Sequence, residues 1–61
     1  MDTWTITASI HRTGEQAESF VFTVKANDKN TAFIIGCSKL YAMFEGTDTV
    51  INQIFSITKV V

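Results

Sequence analysis

The chain has no proline, one cysteine and three glycines in 61 residues. Without proline, no strand or helix is broken from within by a missing backbone N–H. A single cysteine, Cys37, excludes an internal disulfide. Together with the one histidine, His11, it is too little for a four-ligand zinc site. The glycines, Gly14, Gly36 and Gly46, stand far apart, which excludes a glycine-rich phosphate loop. Charge is also scarce: 18% of the residues are Asp, Glu, Lys or Arg, with a net charge of −1. The five basic residues form no run, so the electrostatic footprint of a nucleic-acid binder is missing. The six acidic residues are equally scattered, which argues against a mimic of DNA.

Long apolar runs are absent too. None approaches the roughly 20 residues that span a bilayer. The start, MDTWTITAS, lacks the positive region and apolar core of a signal peptide. A lone unpaired cysteine fits a reducing compartment. These features predict a soluble cytoplasmic protein with no membrane partner. The chain begins with Met and carries no recognisable tag, which points to an intact small reading frame.

What the chain does have is apolar character. Hydrophobic residues are 46% of the sequence and mean hydropathy is +0.18. The length makes one domain, and a domain this small buries only about 60% of its unfolded surface. Some apolar area should therefore stay exposed, or be covered by another copy or another protein. With disulfide and metal excluded, association is the staple left open.

The stretch Asp28–Gly46 reads DKNTAFIIGCSKLYAMFEG and predicts a helix over 29–45. At about 100° per residue, Phe33, Cys37, Leu40 and Phe44 share a narrow sector, flanked by Tyr41, Ile34, Met43, Gly36 and Ala32. Asp28 suits the N-cap, with Asn27 as the alternative. Gly46 suits the left-handed position past the end. Gly36 costs about 1 kcal/mol relative to Ala inside a helix. It reads as a place where helix backbone approaches a strand. Ile35 falls toward the polar side.

Residues 3–12, TWTITASIHR, alternate Trp4, Ile6, Ala8 and Ile10 with Thr3, Thr5, Thr7, Ser9 and His11. That is a strand with one apolar and one polar row. TGEQAE makes a hairpin loop. Residues 19–26 form a second strand, with Phe20, Phe22 and Val24 inward and Val21, Thr23 and Lys25 outward. A third strand spans 50–60, in one of two registers. One places Ile51, Phe55, Ile57 and Val61 inside and the other Val50, Ile54 and Val60. The first is favoured as the bulkier, leaving Ile54, Ser56 and Thr58 outside, and the spacing Ile54, Ile57, Val60 would fit a bulge near Ser56. A right-handed crossover then gives an α+β, ββαβ domain of two layers. Its antiparallel sheet has the order 2-1-3, with the helix on one face.

The chemistry is sparse. His11 reads as a solvated residue at a strand end and Cys37 as a buried structural thiol. Asp28 is a cap, and Glu15 and Glu18 belong to a solvated loop. Trp4 and Tyr41 could stack on bases, but Trp4 belongs to the inner row. A monomer this small has little room for a ligand pocket of about 300–1,000 Å³. The expectation is no enzyme, no cofactor and no metal.

One resemblance adds to this reading. Val24 to Tyr41 carries a strand-end Ala26, a cap at Asp28 and Ala32 six residues after Ala26, and Trp4 opens the first strand. In order and spacing this resembles small phage-encoded ββαβ accessory proteins, such as the T7-type inhibitor of host RNA polymerase. The general layout also looks like the antitoxin Dmd. The resemblance implies a phage or mobile-element protein that binds a host protein and modulates it.

The function expected is therefore a small non-catalytic protein-binding module. Its contact residues would be Thr5, Thr7, Ser9, His11, Thr23 and Lys25 on the uncovered sheet face, or an edge strand. Lys25 and Lys59 are the only lysines on the two edges. The alternative is a structural homo-oligomer, a homodimer paired through strand edges or through the exposed apolar row of the third strand. A nucleic-acid-binding sheet comes third.

Overall fold

The computed structural model describes all residues, Met1–Val61. Strand β1 (Asp2–Arg12) runs into β2 (Glu18–Ala26), then helix α1 (Lys29–Phe44), then β3 (Thr49–Lys59). Both pairings are antiparallel and the sheet order is β2-β1-β3, so the ββαβ architecture is present. The observed strand limits fall one residue from some of the predicted ones, and α1 ends at Phe44 rather than 45.

The helix begins where Asp28, in extended conformation, turns its carboxylate onto the free amide of Thr31 at 2.7 Å. This hydrogen bond favours the ionised form, and the Asp28 pKa is lowered, chiefly by the Thr31 amide. At the other end Gly46 takes φ +78°, in the left-handed region that suits glycine. Thr47 closes the turn by donating its amide and its hydroxyl to the Phe44 carbonyl.

The core sits between α1 and the middle of the sheet. Ile6, Ala8 and Ile10 of β1 are buried, with Val24 and Ala26 of β2 and Ala32 and Leu40 of α1. Trp4 is half-buried at the rim and donates its indole N–H to the Ala26 carbonyl at 3.1 Å. Phe20, Phe22 and Phe44 form an aromatic corner, with the Phe20 and Phe44 rings edge to face at 5.3 Å.

Two details differ from the sequence reading. The buried line of α1 is Ala32, Gly36 and Leu40, one flank of the predicted sector. Gly36 lies over Ile6 and Phe22, and a Cβ there would collide with Ile6 Cδ1. Small residues let the helix backbone come down onto the sheet, so bulky Phe33 is displaced sideways and remains 45% exposed. Cys37 is half-buried rather than buried.

The second correction concerns β3. Ile57, Ile54 and Ile51 stand opposite Ile6, Ala8 and Ile10. The partners on β1 are two residues apart and those on β3 are three apart. Each step therefore holds one extra residue, at Phe55 and at Asn52, where the register shifts. Phe55, expected inside, is 53% exposed, and Ile54, expected outside, is half-buried against the core. An unbulged strand cannot place isoleucines at intervals of three on one face. The hydrophobic demand of three isoleucines outweighs the regular ladder.

Candidate functional site

The face of the sheet away from α1 has no element of the chain over it. Its middle row is Thr3, Thr5, Thr7, Ser9 and His11 of β1, all half-buried because strands flank them on both sides. On the β2 side, Thr23 pairs with Thr5, Lys25 with Thr3 and Val21 with Thr7. On the β3 side, Thr58 pairs with Thr5 and Ser56 with Thr7. The six predicted contact residues thus share one surface, with Thr23 and Lys25 exposed at its margin. His11 is at the far end, opposite Val50.

The surface is held by weak hydroxyl contacts. Asn52 donates to Ser9 Oγ at 3.3 Å, and Ser56 and Thr58 exchange a hydrogen bond at 3.4 Å. Hydroxyls in this density can both donate and accept hydrogen bonds. No three of the His, Cys, Asp and Glu side chains come together in metal-binding geometry. No helix is long and apolar enough to cross a membrane.

The sheet edges differ from each other. On β2, Lys39 reaches down from α1 and donates to the Thr23 carbonyl at 3.2 Å. That ammonium occupies an acceptor that an added strand would need. On β3, the two bulges interrupt the row of amides and carbonyls. Lys59 lies near the end of β3 and pairs with Asp2 across to β1 at 3.4 Å. Lysines and bulges of this kind protect edges against strand addition. The edge was expected to depend on Lys25 and Lys59; Lys39, from the helix, was not foreseen.

A second surface was not identified from the sequence. Between α1 and β3 runs a half-open groove of about 290 Å³, lined by Phe33, Cys37, Leu40, Tyr41, Ile51 and Ile54 among others. It continues into a wider depression of about 840 Å³ beside Tyr41, Phe44 and Ile51. Tyr41 lines both and is 66% exposed; Ile34, about two helical turns before it on α1, is 62% exposed. The signal in the sequence was the width of the apolar stripe. It runs from Ala32 through Phe33 and Cys37 to Tyr41 and Ile34, wider than one helix can bury against three strands.

No family model, curated protein or solved structure matches this chain.

Proposed function

We propose that the chain is a non-catalytic protein-binding module that acts by covering part of a partner's surface. The class is that of small phage or mobile-element proteins that modulate a host protein. The observation that supports it most is the bare sheet face. A strand row of Thr5, Thr7 and Ser9 flanked by Thr23, Ser56 and Thr58 offers hydroxyls across three strands, with no chain element over them. The grooves on the helix side of the sheet are open, and no three His, Cys, Asp or Glu side chains gather in metal-binding geometry, which supports binding rather than catalysis.

The homo-oligomer reading through strand edges is less well supported, because Lys39 and the two bulges oppose added strands. A nucleic-acid role is third, since a net charge of −1 gives little attraction to phosphate.

The test is capture from a bacterial lysate on the immobilised full chain. A defined protein should be retained by the native chain and by Ile34→Lys, and lost with Thr7→Glu. Retention of the same protein by Thr7→Glu would exclude the Thr/Ser face. Capture of nothing by the native chain would remove the reading itself.

A further inference from the structure

The edges of this sheet are guarded, yet a small chain with a small core leaves much apolar surface bare. Only 8 of 61 residues are buried. The molecule is thin and long, 38 × 19 × 13 Å, with a radius of gyration of 11.9 Å. A compact chain of this length has about 10.5 Å. Beside α1, the groove lined by Phe33, Tyr41, Ile51 and Ile54 stays open.

We propose that the α1–β3 flank is the two-fold interface of a homodimer. The occupant of the groove is a second copy of this chain, contributing the same Phe33, Ile34, Tyr41, Ile51 and Ile54. Three observations carry this. The first is area. A large side chain presents roughly 150–250 Å² when fully exposed. Phe33, Ile34 and Tyr41 are 45%, 62% and 66% exposed. Together they leave roughly 350 Å² bare on one copy, or roughly 700 Å² over a symmetric pair. The half-exposed Cys37, Ile51 and Ile54 lie alongside. They bring the surface toward the roughly 1,000 Å² that a specific interface needs.

The second observation is charge. In an isologous interface each patch meets its own copy, so ionised groups on it tend to oppose like charges. This flank has one such group, Glu45, at the far end of the wider depression, and none in the groove between Phe33 and Ile54. On α1, Phe33, Ile34, Cys37, Ser38 and Tyr41 are uncharged, and β3 holds no ionisable residue from Thr49 to Thr58. The third is the guarding of both sheet edges, which turns self-association away from strand pairing.

The interface lies on the side of the sheet opposite the Thr/Ser face, so a dimer leaves that face free. The two readings can therefore fail separately.

The experiment is light scattering on the full chain from micromolar to millimolar concentration. The native protein should rise from 6.8 kDa toward twice that mass. Ile34→Lys and Tyr41→Lys, both at exposed positions, should hold it at the monomer mass with unchanged helical circular dichroism. Thr7→Glu should still dimerise. Labelling of Cys37 by a water-soluble aromatic disulfide gives a second readout that needs no variant. Its rate should fall as the native protein is concentrated. A native chain that stays monomeric throughout, or a Tyr41→Lys chain that dimerises as well as native, overturns the proposal. So does a Cys37 labelling rate independent of concentration.

Discussion

Ile6 Cδ1 occupies the space in which a side chain at Gly36 would begin. Ile6 is fully buried, so its terminal methyl has no solvent to turn into. Replacing Gly36 by Ala brings a helix-propensity gain of about 1 kcal/mol. Overpacking a closed core costs about 1–3 kcal/mol. Gly36→Ala should therefore be destabilising on balance. Ile6→Val removes the offending methyl, and the double variant should be more stable than the two single effects predict. A double-mutant cycle by urea unfolding measures this. A coupling energy below about 0.5 kcal/mol would mean the two positions do not compete for the same space.

Ile54 and Phe55 exchange the roles that size alone assigns them. Ile54 packs on the core opposite Ala8, and Phe55 sits out at a bulge. Ile54→Ala should cost about 2 kcal/mol, the low end for a partly buried isoleucine. Phe55→Ser should stay within about 0.5 kcal/mol, as exposed substitutions do. Chemical denaturation of the two variants side by side decides it. If Phe55→Ser proves the costlier, the third strand pairs in the other register.

Asp28 makes the helix start sensitive to acid. Its pKa is lowered in the folded chain by the hydrogen bond from the Thr31 amide. A group with a depressed folded pKa contributes stability that is present above its unfolded value, about 3.9 for aspartate. That contribution is lost as pH falls through the folded value. Asp28→Asn keeps a capping acceptor but does not titrate. Melting temperature measured from about pH 5 down to about pH 2 should fall more steeply for native than for Asp28→Asn. Parallel slopes would place the acid sensitivity elsewhere.

These cases show what was legible in the sequence and what was not. The architecture was, because its signals are local: alternation in β1, a cap at Asp28, and glycine at Gly46 and Gly36. The order 2-1-3 followed from reading β2–α1–β3 as a crossover between parallel strands with β1 between them. The centre of the helix stripe was not legible, because a wheel weights bulk. Contact here is set by the small residues, Ala32 and Gly36, that allow close approach. The strand register was partly legible: the spacing of Ile54 and Ile57 pointed to a bulge near Ser56, and one falls at Phe55, but bulk favoured the register with Phe55 inside. Periodicity of two assumes a ladder without bulges, and Ile51, Ile54 and Ile57 keep an interval of three. The candidate site was half legible. The sequence placed the Thr/Ser row together, but the groove beside α1 depends on where the helix axis settles. The expected outer position of Ile54 was reversed with the register.

The two bulges in β3 also mean that its length is not dictated by its partner. Between Ile51 and Ile57, β3 passes over the span that β1 crosses from Ile10 to Ile6, using two residues more. Taking out Phe55 or Asn52 would leave Ile57, Ile54 and Ile51 opposite the same three positions of β1. The alignment of the sheet is thus indifferent to loss of a codon at either place. This strand has slack in its count, whereas the loss of any one residue between Ile6 and Ile10 would turn part of β1 inside out.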